Sequence, residues 1–231
     1  MKTIALCTSL AAGVFAVSAQ AALFDRGNGM IYDSVLDITW LQDANYAQTS
    51  GYDSDGLMTW AAANGWARNL SYGGYHDWRL ATANLTNPAS PCSATDGSCD
   101  IGYNNVAGEL GYMFYVNLGN KGYVSSSGTY PQPGYGLKNI SFTDAASGAP
   151  VSFLNLFANN YWYDDHTTYA AWVLGLGNGY QGTRSTADGY YAWAVRDGDV
   201  AAVPVPPSLW LFGSALLGFA GAARRRRFMR L

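Results

Sequence analysis

Apolar residues recur at three- and four-residue spacing in two places along the chain. Over 57–70, Leu57, Met58, Ala61, Ala62, Trp66 and Leu70 share one helical face, which predicts a helix with Asp55 as its cap. Gly65 weakens that helix by about 1 kcal/mol relative to Ala. Over 106–118, Val106, Leu110, Met113, Phe114 and Leu118 define a second helical face, with Asn104 or Asn105 as cap. Elsewhere the pattern is that of strands. Residues 24–40 predict a β-hairpin turning at Arg26-Gly-Asn-Gly29, with Met30-Ile-Tyr and Leu36-Asp-Ile-Thr-Trp-Leu as its strand-like runs. Short strands are expected at 160–163, 170–176 and 189–195. The Gly-, Ser- and Pro-rich stretch 119–150 reads as a long irregular insertion in which Phe142 begins a strand, and 197–202 reads as a linker. Two early helices and several late strands make an α+β domain.

The two ends follow other rules. Lys2, an apolar run over 4–17 and the small-x-small site Ala19-Gln20-Ala21 describe a secretory signal peptide over 1–21, handed to the Sec machinery. From 207 to 223 there are 17 residues without a charge. As a helix they span roughly 25 Å, against a bilayer core of about 30 Å. Arg224, Arg225, Arg226, Arg227 and Arg230 follow and hold that end on the cytoplasmic side. The division is therefore 1–21 signal peptide, 22–199 domain, 200–206 linker with Pro204-Val205-Pro206, and 207–231 transmembrane helix with an Arg-rich tail.

Removing both ends changes the charge. The whole chain carries −3, but all 16 acidic residues and only seven of the 13 basic ones lie within 25–199, a net of −9. An acidic domain with no basic stripe argues against nucleic acid and against sulfated polymers held by charge. Cys7 leaves with the signal peptide. Cys92 and Cys99 remain, and in an oxidising compartment they read as a disulfide; a metal pair is the alternative, with no third or fourth ligand nearby.

Candidate chemistry is sparse. In Asp77-Trp78-Arg79, Trp78 is expected in the core and Arg79 paired with Asp77 or Asp197, locking the two halves of the domain together; the other reading gives Arg79 a ligand carboxylate or sugar hydroxyl. Arg196, near Trp193 on the closing strand, is read in the same way. Asp164-Asp165-His166 offers two carboxylates and an imidazole, a set that binds Ca²⁺ or Zn²⁺ if it lies in a loop, but it is expected as a solvated turn, since adjacent strand residues face opposite ways and would not share one ion. Asp53-Ser-Asp55-Gly56 lacks the later Glu of a Ca²⁺ loop and reads as a turn. Only His76 and His166 are present, Glu109 is the single glutamate, and no nucleophile-elbow motif occurs, so no catalytic residue is assigned. The aromatic crowd of the last third is the functional hint, because sugars stack on aromatic faces while Asn and Asp bond their hydroxyls. Tyr161, Tyr163 and Tyr180 are the candidates for exposure, with Asp164 and Asp165 beside them.

The tail resembles the PEP-CTERM sorting signal, with Val205 where the usual motif has Glu. That resemblance implies processing by an exosortase after a transient hold in the inner membrane. Within the domain, Leu36-Asp-Ile-Thr-Trp-Leu, Met58-Thr-Trp-Ala-Ala-Ala, Gly74-Tyr-His-Asp-Trp-Arg-Leu80, Asn160-Tyr-Trp-Tyr163 and Tyr191-Ala-Trp-Ala-Val-Arg-Asp-Gly-Asp199 resemble the Lcl C-terminal domain family in order and spacing, with Ala81 in place of that family's proline. The resemblance implies a C-type-lectin-like fold with two helices and short twisted antiparallel strands. It implies an exported recognition module for exopolysaccharide or surface glycan, at the cell surface or in the biofilm matrix, without enzymatic activity. A non-sugar structural or adhesive surface protein is the alternative, and a secreted hydrolase a third reading. No cofactor is implied: the Glu-Pro-Asn-like and Trp-Asn-Asp-like motifs by which many C-type lectins hold Ca²⁺ are absent.

Overall fold

The computed structural model describes residues 22–86 and 92–200. The expected signal peptide with Ala19 and Ala21, and the expected sorting tail with Pro204, Val205, Pro206, Arg224, Arg225, Arg226 and Arg227, lie outside the described residues. Among those described, no helix is long and apolar enough to cross a membrane. The domain is α+β and mostly strand.

The expected hairpin is a three-stranded meander of β1 (Leu23–Asp25), β2 (Met30–Asp33) and β3 (Ile38–Leu41). Leu36 stays outside β3. The Asp33 carboxylate accepts the N–H groups of Val35 and Leu36, and Asp37 turns the chain at φ 53° before the strand begins. The last strand, β12 (Ala194–Asp197), returns antiparallel beside β3 with Val195 opposite Trp40. β4 (Arg79–Leu80) completes a sheet of order β1-β2-β3-β12-β4. The first and last strands of the domain thus share one sheet, and Arg26 clamps them through a 2.6 Å ion pair to Asp199. Val200 is buried in the core, so the domain extends past Asp197 rather than giving way to a linker there.

The second sheet has the order β5-β6-β11-β10-β9, from β5 (Ser93–Ala94), β6 (Ile101–Gly102), β9 (Asn160–His166), β10 (Ala170–Gly175) and β11 (Tyr180–Ser185). A separate hairpin, β7 (Ser141–Thr143) with β8 (Pro150–Ser152), closes the insertion, and Phe142 lies in its first strand. Of the strand expected over 189–195, only the last two residues join β12; Tyr190 and Tyr191 make isolated bridges to Met58 and Tyr161.

Both helices are shorter than their apolar faces. After the single-turn α1 (Tyr46–Thr49), α2 runs over Trp60–Arg68. Met58 exchanges backbone hydrogen bonds with Tyr190, which commits that part of the chain to an extended ladder. Thr59, not Asp55, is the cap, its hydroxyl accepting the Ala62 N–H; Asp55 instead closes its own turn onto the Leu57 N–H. The third helix, α3 (Glu109–Tyr112), begins at Gly108 and continues as a π-helical turn over Met113–Asn117. Asn105 is occupied elsewhere, accepting the Ala107 N–H and donating to the Cys99 carbonyl, and Asn104 stands at φ 60°. Leu110, Met113, Phe114 and Leu118 are buried as the spacing predicts, while Val106 is exposed.

The core joins both sheets through indoles. Trp40, Trp78, Trp162 and Trp193 are buried; Trp193 packs on Trp40 at 4.7 Å and edge-on to Phe153 at 5.0 Å. Burying an indole strands its N–H unless a carbonyl is near. Trp193 Nε1 donates to Leu41 O at 2.7 Å and Trp162 Nε1 to Met58 O at 2.8 Å.

Candidate functional site

A concavity opens at one end of the second sheet. Here Asn160, Gly175 and Tyr180 lie side by side across β9, β10 and β11. Gly175 has no side chain, and the amides beside it close on the gap. A Cβ there would stand 2.8 Å from Asn160 Oδ1 and 2.9 Å from Asn178 Oδ1. The floor continues through Gly177 and Ala158, and the walls are Tyr103, Tyr123 and Tyr135 with Asn159. The cleft has a volume of about 530 Å³ and is broadly open to solvent. A second hollow of about 370 Å³ adjoins it, sharing Tyr135, Ala158 and Gly177 and extending to Lys138.

Four separate segments supply these residues, and one side chain holds three of them in place. Tyr115, on the π-helical turn, has a hydroxyl that accepts the Asn104 N–H at 2.9 Å and donates to Gly179 O at 2.7 Å. Gly122 and Gly179 pack against that same oxygen, with no room for a Cβ at either position. Tyr103, Tyr123 and Asn178 are the immediate neighbours of these contacts. The insertion is tied down further by Tyr123 N–H to Asn178 O at 2.6 Å and by Gly136 N–H to Lys121 O at 2.9 Å.

The walls carry hydrogen-bonding capacity that the protein does not use. Asn178 Oδ1 accepts the Tyr180 N–H and Asn159 Oδ1 the Asn160 N–H. Among the described residues, none accepts from the Nδ2 groups of Asn159, Asn160 and Asn178 or pairs with the hydroxyls of Tyr103, Tyr123 and Tyr135. Burial, reinforced by the neighbouring Tyr180 and Tyr123 phenols, raises the pKa of Tyr103, and burial pushes Tyr115 up to about 12. Both hydroxyls are therefore protonated at neutral pH. No carboxylate or imidazole lines the cleft among the described residues. The arrangement can stack flat apolar faces and bond hydroxyl groups.

The residues anticipated from sequence do not line the cleft. Tyr180 comes nearest, half-buried, with its ring edge-on to the lining residue Tyr103 at 5.4 Å. Tyr161 and Tyr163 are fully buried and present no face to a ligand, because both sides of β9 are covered. The Tyr161 ring packs on Tyr191 and its hydroxyl accepts the Phe157 N–H; the Tyr163 hydroxyl donates to Gln181 Oε1 at 2.8 Å and accepts from Gly111 N–H. Asp164 and Asp165 belong to β9 rather than to a solvated turn, and they diverge. Asp164 bonds Asn64 and Arg68, and Asp165 accepts the Ala83 N–H at 2.6 Å. His166 stacks on Trp60 at 3.7 Å.

The charged signature is structural cement. Arg79 makes a two-bond fork with Glu109, both at 2.8 Å, and also donates to Asp197. Glu109 in turn accepts the Thr82 N–H. Arg196 forks onto Asp77 at 2.8 and 2.9 Å and lies over the Tyr75 ring. Asp77 therefore serves Arg196 rather than Arg79. The sulfurs of Cys92 and Cys99 stand 2.10 Å apart, compatible with the expected disulfide.

No family model matches the sequence, and neither a curated protein nor a solved structure matches the chain.

Proposed function

We propose that this chain is an exported, surface-sorted binding module that holds extracellular polysaccharide in the tyrosine–asparagine cleft. On this reading the domain is C-type-lectin-like and related to the Lcl C-terminal family. The tail is a PEP-CTERM signal read by an exosortase, and the module works by binding rather than turnover, without a metal. The observation that carries the proposal is the wall chemistry: three tyrosines and three carboxamides with unspent donors converge over a glycine floor. Aromatic rings beside free amides suit a pyranose, which offers a C–H face to the ring and equatorial hydroxyls to the amides. The pairing of the opening strands with the closing strand, and the placement of the cleft on the far sheet, support the lectin-like reading.

The test is a pull-down of the purified full chain on a panel of immobilised polysaccharides, with Tyr135→Ala in parallel. Retention of the native chain on at least one polymer, lost in the variant, is the expected result. Retention by no polymer, with self-association instead, would favour a structural surface protein.

A further inference from the structure

The cations of this acidic domain are unevenly used. Of the seven Lys and Arg residues within 22–200, four are paired with carboxylates. Arg26 binds Asp199 at 2.6 Å, Arg68 binds Asp164 at 3.2 Å, and Arg79 and Arg196 bind Glu109 and Asp77 at 2.8 Å. None of these four lines the cleft. Among the described residues, Lys121, Lys138 and Arg184 have no carboxylate partner, and Lys138 is the one of the three that lines a hollow, the one adjoining the cleft. Lys121 is bridged through its backbone to Gly136, which lines the same hollow. The Arg184 guanidinium lies 5.8 Å from the centre of the Tyr180 ring, which packs against the wall residue Tyr103.

Resting on the polysaccharide reading above, we infer that the ligand is an internal stretch of a sparsely carboxylated polysaccharide. Two open hollows sharing the Tyr135 wall accommodate consecutive sugars of a running chain, whereas a site for a chain end is closed on one side. A cation at the hollow beside an uncharged cleft, with a second lying beyond the Tyr180–Tyr103 ring pair, suits a polymer whose acidic sugars alternate with neutral ones. The neutral sugar meets tyrosine and asparagine, the carboxylate of the next sugar meets Lys138, and Arg184 is reached only by a chain that runs on past Tyr103. The domain's surplus of negative charge does not forbid this. At physiological salt that field is screened within about 8 Å, so contact cations dominate for a weakly charged polymer, while a densely sulfated one still meets net repulsion.

The experiment is a biolayer titration of the native full chain and of the variants Lys138→Ala, Lys138→Ala with Arg184→Ala, and Tyr135→Ala. The probes are a uronate-containing heteropolysaccharide such as xanthan, neutral dextran and dextran sulfate. The inference predicts preferential binding of xanthan, weakened roughly tenfold by Lys138→Ala, the size of one charge-assisted hydrogen bond. The double variant should weaken it further, and Lys138→Arg should restore it. Dextran bound as tightly as xanthan, with the cation variants unchanged, overturns the inference and leaves polysaccharide binding standing. Preference for dextran sulfate overturns it in favour of plain charge attraction. Binding that survives Tyr135→Ala overturns the placement of the site itself.

Discussion

Tyr115→Phe removes one oxygen and leaves the ring, which packs edge-on to Phe114 at 4.8 Å. Two hydrogen bonds disappear, from Asn104 N–H at 2.9 Å and to Gly179 O at 2.7 Å. Both partners lie in a crowded junction where Gly122 and Gly179 press on the hydroxyl. An unsatisfied buried donor or acceptor costs about 1–3 kcal/mol, so with two groups left the variant should lose roughly 2–6 kcal/mol of stability. For a chain of this size that corresponds to a fall in Tm on the order of 4–24 °C. The functional consequence follows from position. Tyr103, Tyr123 and Asn178 are each one residue from the contacts that Tyr115 organises, so loosening the junction should spread the walls and weaken polysaccharide binding even well below the new Tm. Differential scanning calorimetry reads the first effect and titration at 15 °C the second. Loss of stability under about 0.5 kcal/mol, or full binding affinity in the variant, would refute the assignment of Tyr115 as the residue that positions the site.

Other consequences are independent of the ligand. Arg79→Ala leaves the buried Glu109 without its cation and should cost roughly 3 kcal/mol in urea denaturation; Glu109→Gln, which keeps the acceptor for Thr82, should cost less. Asp33 is buried with no cation beside it among the described residues, and burial raises its pKa above the ordinary value of 3.8 despite hydrogen bonds from Leu36, Asn117 and Val35. The folded state thus holds this proton more tightly than the unfolded chain. Its contribution is fully present below pH 3.8 and is lost as pH rises through the folded pKa. Asp33→Asn should flatten stability against pH across that interval and cost little at pH 7, because Asn117 has a buried Oδ1 without a partner that can accept from the new amide. Trp193→Phe removes the bond to Leu41 O together with part of the contact to Trp40, and should cost about 2–4 kcal/mol by chemical denaturation.

Where burial and period coincide, sequence reading works. Leu110, Met113, Phe114 and Leu118 are inside because a helical face must find a core, Val195 is inside as an apolar residue of β12, and Trp78 and Trp193 are inside as large apolar residues immediately before β4 and β12. The strand Tyr180–Ser185 is not visible in this way. Its buried positions include Gln181 and Gly182, and Gln181 is satisfied by the Tyr163 hydroxyl and Asp100 O rather than by apolar neighbours. The partner of Arg79 was half legible: Asp197 is named by the reading that joins the two halves, whereas Glu109 looked like an ordinary helical residue. Alternation misassigned Tyr161 and Tyr163, because it assumes a strand with one wet face and β9 has none. The cleft was hidden for a different reason. Its residues come from stretches around 103, 123–135, 158–160 and 175–178, and their shared property is a lack of side-chain bulk at Gly175 and Gly177 beside amides and phenols. A density of Gly, Asn and Tyr marks such segments as irregular, and only the fold brings them to one place.

Gly175→Ala is the sharpest probe of the cleft. It adds one carbon to the floor, where it meets the amide oxygens of Asn160 and Asn178, side-chain ends rather than backbone, the second of them held by the Tyr180 N–H. The decisive measurement is the affinity of the full chain and of this variant, by isothermal titration, for the polysaccharide that the native chain retains. The account predicts a loss of at least about tenfold in affinity, or 1.4 kcal/mol, measured well below the Tm of the variant, where the fold is intact. Equal affinity in the two chains would contradict it.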